Sequence, residues 1–135
     1  MKLSIRLDLG ASLTKSAYQW VMGSHASAPQ YKTFCSAVQR ITSTEYERGQ
    51  YADNNTSLLS IGDEYWSAGE NARDPVTNVN LRQPKCRNAI AKILAVVGQV
   101  IAENVPVDSQ SELHIDLGVL LPLNEMGVPL SCPAV

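Results

Sequence analysis

The sequence has no surplus of basic residues and no long apolar run. Its 135 residues carry 11 lysines and arginines against 13 acidic residues, which gives a net charge of -2. A protein without a basic surplus lacks the electrostatic footprint that a nucleic-acid backbone requires, so we expect no direct binding of nucleic acid. No stretch approaches the roughly 20 apolar residues that cross a bilayer, so we expect no membrane partner.

Cysteine and histidine are also scarce. The three cysteines, Cys35, Cys86 and Cys132, lie far apart and form no Cys-x-x-Cys pair. This odd count argues against a disulfide framework or a zinc site and predicts the reduced thiols of a cytoplasmic protein. The two histidines, His25 and His114, are distant as well, so no metal site is expected on them. The N-terminal residues lack the apolar core of a signal peptide.

The patterning that is present predicts one α/β domain over residues 1–135. Alternation of apolar and polar residues predicts strands, and apolar spacing of three and four predicts a helix. The predicted elements are strands at 2–9, 15–22 and 31–42, a loop at 43–57, a small hairpin at 58–67, a helix at 86–104 and a strand at 113–121. We expect one mixed sheet, a β-meander plus a last strand parallel to the first, with the long helix packed on it.

Two further expectations concern single features of these elements. The dense apolar run at 113–121 predicts a strand buried on both faces. Gly98 interrupts the helix at a cost of about 1 kcal/mol relative to alanine, which predicts close packing of the helix on the sheet.

The most informative stretch joins the first two predicted strands and runs Asp8-Leu9-Gly10-Ala11-Ser12-Leu13-Thr14-Lys15. A glycine in the turn allows positive φ and close approach of the backbone to a ligand, and successive N–H groups there can surround an anion. Asp8 could hold a hydrated metal ion, and Lys15 could meet a phosphate as a compact charge. The alternative is an ordinary glycine turn with a solvated lysine, because so short a motif also occurs by chance.

The same stretch resembles the first phosphate loop of the actin, heat-shock chaperone and sugar-kinase superfamily. The order of elements is similar to the N-terminal half-domain of bacterial actin-like ATPases of the plasmid-segregation (ParM/StbA) type. The corresponding segments here are Ser60-Ile61-Gly62, Gly69-Glu70-Asn71-Ala72, the helix at 88–104 and Gly118-Val119-Leu120-Leu121-Pro122-Leu123. The resemblance covers nearly the whole chain and implies a ribonuclease-H-like actin subdomain.

The resemblance implies a site for ATP and Mg²⁺. Asp8 would lie near the Mg²⁺, through water. The residues implied to bind the β- and γ-phosphates are Gly10, Ala11, Ser12, Leu13 and Lys15. The family's partners are further copies of itself in a filament and a DNA-binding adaptor protein, and its location is the cytoplasm. No catalytic residue can be carried over to this chain.

The chain departs from the family pattern in one large respect. The family completes its cleft with a second phosphate loop and an adenosine-binding Gly-Gly loop, and these 135 residues contain neither. We therefore expect ATPase activity only as part of a longer chain, with weak nucleotide binding and almost no hydrolysis by this chain alone. Two alternatives remain: a non-enzymatic interaction module with an actin-like subdomain fold, or a fragment of a sugar or acetate kinase.

Overall fold

The structure is a computed structural model and describes residues 1–10, 12–49, 55–72, 88–105 and 112–120. These ranges contain eight strands: β1 Lys2–Leu9, β2 Leu13–Met22, β3 His25–Ala26, β4 Gln30–Cys35, β5 Val38–Ile41, β6 Thr56–Ile61, β7 Glu64–Gly69 and β8 His114–Leu120. They also contain the α-helices α1 Ser43–Glu47 and α2 Ala89–Asn104, and a 3-10 turn, Glu70–Ala72, that follows β7.

The larger sheet is built around β1. β1 pairs antiparallel with β2 on one side and parallel with β8 on the other. β2 also pairs with β3 and β4, so that the sheet has five strands. The chain passes through α2 between the antiparallel strands and β8. The prediction of an α/β fold with a mixed sheet, a parallel pair and one long helix is therefore confirmed.

The core lies between this sheet and α2. Period-two alternation turns four aliphatic side chains of β1 to one face, where each is at most 1% exposed: Leu3, Ile5, Leu7 and Leu9. α2 meets them with residues at helical spacing: Ala89, Ile93, Val96, Val97 and Val100. Burial of such side chains contributes about 1.5–3 kcal/mol each, and this apolar contact fixes which face of β1 is left for polar residues.

The prediction of a single sheet is wrong, because the predicted strand at 31–42 is two strands in different sheets. β4 belongs to the larger sheet, whereas β5 pairs with β7 in a second, three-stranded antiparallel sheet of order β5-β7-β6. The chain leaves the larger sheet at Ser36, whose N–H donates to the carbonyl oxygen of Ser12. The hairpin predicted at 58–67 is confirmed as β6 and β7, and Gly62 at its tip has φ +62°.

Part of the predicted loop at 43–57 is the helix α1. Thr42 caps α1: its side chain accepts from the N–H of Glu45, and the Glu45 carboxylate accepts from the N–H of Thr42. This reciprocal capping supplies acceptors for N–H groups that have none in the first turn of a helix. Residues 50–54 of the predicted loop lie outside the described residues.

The long helix is confirmed over Ala89–Asn104. Asn88 precedes it in the left-handed region, φ 56°, and makes no side-chain cap hydrogen bond. Gly98 is exposed with open space where a Cβ would lie, so the predicted close packing at this glycine is wrong. No helix within the described ranges is long and apolar enough to cross a membrane.

The prediction that the last strand is buried is also wrong. β8 is mostly exposed, with Ile115 at 45% and Leu117 at 40%. Two polar residues, His114 and Asp116, interrupt the apolar run at alternate positions, which is typical of a strand covered on one face at most. Within the described residues β8 pairs with β1 alone.

Candidate phosphate-binding hairpin

The predicted phosphate loop is the connection between β1 and β2. Asp8 and Lys15 are direct partners across the two strands, one step before the pair Leu9 and Thr14 that closes the hairpin. Because Leu9 is buried beneath α2, alternation places Asp8, which is half-buried, on the opposite face of the sheet, with Lys15 beside it. Directly opposed side chains have Cβ atoms about 4.5–5.5 Å apart. The structure thus brings together the two charged residues that the sequence singled out.

Gly10 does not use the positive φ that a glycine allows. Its φ is not in the positive range, and its N–H donates to the carbonyl oxygen of Asp8 at 3.1 Å. A Cβ at Gly10 would collide with the backbone carbonyl of Leu13. The missing Cβ of Gly10 therefore leaves room for the carbonyl group of Leu13, and this contact makes the turn tight. Ala11 lies outside the described residues.

The turn is tied to the junction of β4 and β5. The N–H of Ser36 donates to the carbonyl oxygen of Ser12 at 2.9 Å. The hydroxyls of Ser36 and Thr14 hydrogen-bond to each other at 2.8 Å, and both side chains are buried. Fixed backbone groups need no reordering when a ligand arrives, which favours binding. Ser36 was not predicted from the sequence; the signal for it was the presence of hydroxyl residues at positions that face the apolar core.

The two strands of this hairpin and their turn contribute one carboxylate, that of Asp8. Within the described residues there is no group of three or more histidine, cysteine, aspartate or glutamate side chains that could hold a metal. Mg²⁺ commonly keeps several waters and is bound by one or two carboxylates together with substrate phosphates. Asp8 fits this manner of binding, in which the nucleotide supplies the other ligands.

An ion pair that the sequence did not predict lies on the same face of the sheet. Arg6 reaches from β1 across Gly118 to the carboxylate of Asp116 in β8, at 3.1 Å. A Cβ on Gly118 would clash with the Arg6 side chain, so this glycine makes room for the crossing. The hydrogen bond and charge of Arg6 lower the pKa of Asp116. A glycine in a strand interior was the signal for such a close approach.

Two small cavities lie apart from the charged residues of the hairpin. Both are lined in part by Phe34, Cys35 and Gln99. Among the described residues the buried amide oxygen of Gln99 has no hydrogen-bond partner, whereas its amide nitrogen donates to Ser57. Neither Asp8 nor Lys15 lines either cavity, so these cavities are not part of the candidate site.

Comparison with known proteins gives no further guide to this site. No protein-family model matches the chain, and no curated protein matches it at a significant level. The case for a function therefore rests on the hairpin and on the arrangement of the elements around it.

Proposed function

We propose that the hairpin from Asp8 to Lys15 binds the phosphates of Mg-ATP, and that the chain is the N-terminal domain of an actin-like ATPase. One observation carries the proposal: Asp8 and Lys15 oppose each other on the face of the sheet opposite α2, beside a tight turn. Phosphate binding consists of positioning and electrostatic stabilisation, and this arrangement offers both.

The fold supports the same proposal at a coarser level. The antiparallel pair β1 and β2 is followed by the long helix α2 and then by β8, parallel to β1. This order agrees with the ribonuclease-H-like subdomain that the resemblance implies. A shared fold does not decide function, so the argument depends on the charged residues of the hairpin.

Each charged residue has one task in this proposal. The ammonium group of Lys15 neutralises phosphate charge, and the Asp8 carboxylate holds water molecules around the Mg²⁺. Gly10, Ser12 and Leu13 shape the turn, and Ser36 fixes it from outside. When bound, Mg²⁺ shields the phosphate oxygens. The chain alone holds half of a cleft in this proposal, so it binds nucleotide weakly and hydrolyses it hardly at all.

The wider setting follows from the family that the sequence resembles. We propose that the complete ATPase acts in the cytoplasm in plasmid segregation or a related cytoskeletal role. Its partners are further copies of itself in a filament and a DNA-binding adaptor protein. These partners belong to the complete ATPase, whereas Mg-ATP binding can be tested on the present chain.

The test is the affinity for ATP with and without Mg²⁺, measured by isothermal titration calorimetry at high protein concentration. Asp8→Asn keeps the side-chain shape and removes the charge, so it should abolish the part of the affinity that depends on Mg²⁺. Asp63→Asn is the matched control, because Asp63 is an exposed aspartate at the tip of the other hairpin. An Asp8→Asn protein that binds Mg-ATP as tightly as the wild type would refute the proposal.

A further inference from the structure

The outer edge of β8 has the features of a strand that pairs with another strand. We propose that two copies of this chain associate through β8, which pairs antiparallel with β8 of the second copy and is centred on Leu117. The larger sheets of the two copies would then form one continuous sheet across a twofold axis. This inference does not rest on nucleotide binding.

The backbone of β8 presents hydrogen-bonding groups at this edge. The N–H of His114 donates to the carbonyl oxygen of Met1, so the amide of His114 points towards β1. Successive residues of a strand direct these groups to opposite edges. The N–H and C=O groups of Ile115, Leu117 and Val119 therefore point away from β1. Within the described residues no strand pairs with this edge.

The side chains of the same three residues form an apolar row on the face that α2 covers elsewhere. Ile115, Leu117 and Val119 are the register partners of Leu3, Ile5 and Leu7, which face α2. Ile115 and Leu117 remain 45% and 40% exposed. Apolar surface beside an open strand edge is typical of an interaction site.

The helix α2 also carries exposed apolar side chains. Ile90 and Leu94 are 39% and 43% exposed. They lie one helical turn apart and continue the stripe of Val97 and Ile101, which packs on the core. A twofold axis perpendicular to the sheet leaves both copies of α2 on the same side of the joined sheet.

The sequence of β8 is complementary to itself in one antiparallel register. With Leu117 opposite Leu117 of the second copy, Ile115 faces Val119, and these pairs use the three outward-pointing residues of each strand. Six backbone hydrogen bonds can form in this register. It leaves no backbone group of Ile115, Leu117 or Val119 unpaired at the centre of the interface.

The charges on the other face favour the same register. Asp116 of one copy then lies opposite Gly118 of the second, and that Gly118 is the residue over which Arg6 crosses. Each Asp116 therefore meets the Arg6 side chains of both copies, and positive and negative groups alternate along the interface. A shift of two residues would remove this match, so the charges help to select a second copy as the partner.

The opposite edge of the larger sheet, unlike the β8 edge, has features that prevent pairing with another strand. β3 there has two residues, and β4 carries Lys32 paired with Glu103 of α2, beside a 79% exposed Tyr31. Short strands and lysines at an edge are means by which proteins prevent edge pairing. β8 has no lysine or proline, and its register with β1 runs without a bulge over all seven residues.

The test is the molar mass measured by sedimentation equilibrium at increasing concentrations up to about 1 mM, the range in which weak dimers assemble. The wild-type chain should show a dimer that dissociates on dilution. Leu117→Lys and Leu117→Glu should each be monomeric, because each places two like charges opposite one another. A mixture of the two variants should restore the dimer, since lysine then faces glutamate.

Tyr31→Lys is the control, because it adds the same charge to the other side of the sheet. This variant should dimerise like the wild type, and circular dichroism should show that all variants fold. A wild-type chain that stays monomeric at the highest concentration would overturn the proposal. So would a mixture of folded Leu117→Lys and Leu117→Glu chains that remains monomeric, or a Tyr31→Lys chain that loses the dimer.

Discussion

Two of the hairpins in the described residues, β1–β2 and β6–β7, both turn at a glycine, but the glycines do different things. Gly62 has φ +62°, and nothing lies within 4 Å of the place where its Cβ would be. Gly10 lacks positive φ, and a Cβ added to it would collide with the carbonyl oxygen of Leu13. The β6–β7 hairpin therefore ends in an ordinary solvent-exposed turn. The β1–β2 hairpin ends in a turn that is held by the hydrogen bond from Gly10 to Asp8 and by the hydrogen bond from Ser36 to Ser12.

The largest difference between the hairpins should appear when each glycine becomes alanine. Gly10→Ala brings a methyl group into the backbone of its own turn and should lower the free energy of unfolding by about 3 kcal/mol. Gly62→Ala meets no atoms and costs only the left-handed backbone, about 1–2 kcal/mol. Urea denaturation of both variants measures the two values. Equal losses would show that the two turns are equivalent.

The second largest difference should come from the serine that ties down the first turn. Ser36→Ala leaves the buried hydroxyl of Thr14 without its partner and should cost about 1–3 kcal/mol. Ser60→Ala removes an exposed hydroxyl from the other hairpin and should stay within about 0.5 kcal/mol of the wild type. Thermal unfolding of the two variants provides the comparison. A Ser36→Ala protein as stable as the wild type would show that the hydrogen bond between Ser36 and Thr14 contributes nothing to stability.

The third difference concerns the lysine beside the first turn. Lys15→Ala should weaken Mg-ATP binding about tenfold, which corresponds to roughly 1.4 kcal/mol. Lys2→Ala removes an exposed lysine from the same face at the far end of β1 and should change the affinity by less than about twofold. Competition with a fluorescent ATP analogue measures both. Equal effects would indicate general charge attraction and no defined site.

The smallest effect should be a dependence of stability on acid pH. Arg6 lowers the pKa of Asp116 in the folded chain, so this ion pair stabilises the fold above the ordinary aspartate pKa of about 4. The stabilisation is lost as pH falls through the lowered pKa of the folded state. Denaturation at several pH values should show a shallower loss in Asp116→Asn. An identical pH profile for this variant and the wild type would show that the ion pair does not contribute to the pH dependence of stability.

The sequence predicted the strands of the first hairpin, because alternation of period two is a local property. In the structure, the buried row of β1 and the register with β2 place Asp8 and Lys15 on the face opposite α2. The helix was predictable for the same reason, from the repeat of apolar residues along α2. The turn geometry was not, since the contact of Gly10 with Leu13 depends on how the chain folds back.

Long-range neighbours account for the remaining errors. No glycine or proline marks the break at Ser36 between β4 and β5. The break goes with the hydrogen bond from the N–H of Ser36 to the carbonyl oxygen of Ser12. The burial of β8 depends on what lies beside it, which its own apolar run cannot show. One missed element had a readable signal, because Thr42 and Glu45 have the spacing of a capping box at the start of α1.

The central claim is that the first hairpin, and not the second, binds the phosphates of Mg-ATP. Its most direct test is a titration of the isotope-labelled chain with Mg-ATP, followed by two-dimensional amide NMR spectra. The account predicts that the largest shifts occur at Gly10, Ser12, Leu13 and Lys15, with Gly62 unchanged, and that Lys15→Ala raises the Mg-ATP concentration needed for them about tenfold. Absence of shifts at the first hairpin up to millimolar Mg-ATP, or equal shifts at both hairpins, would contradict the claim.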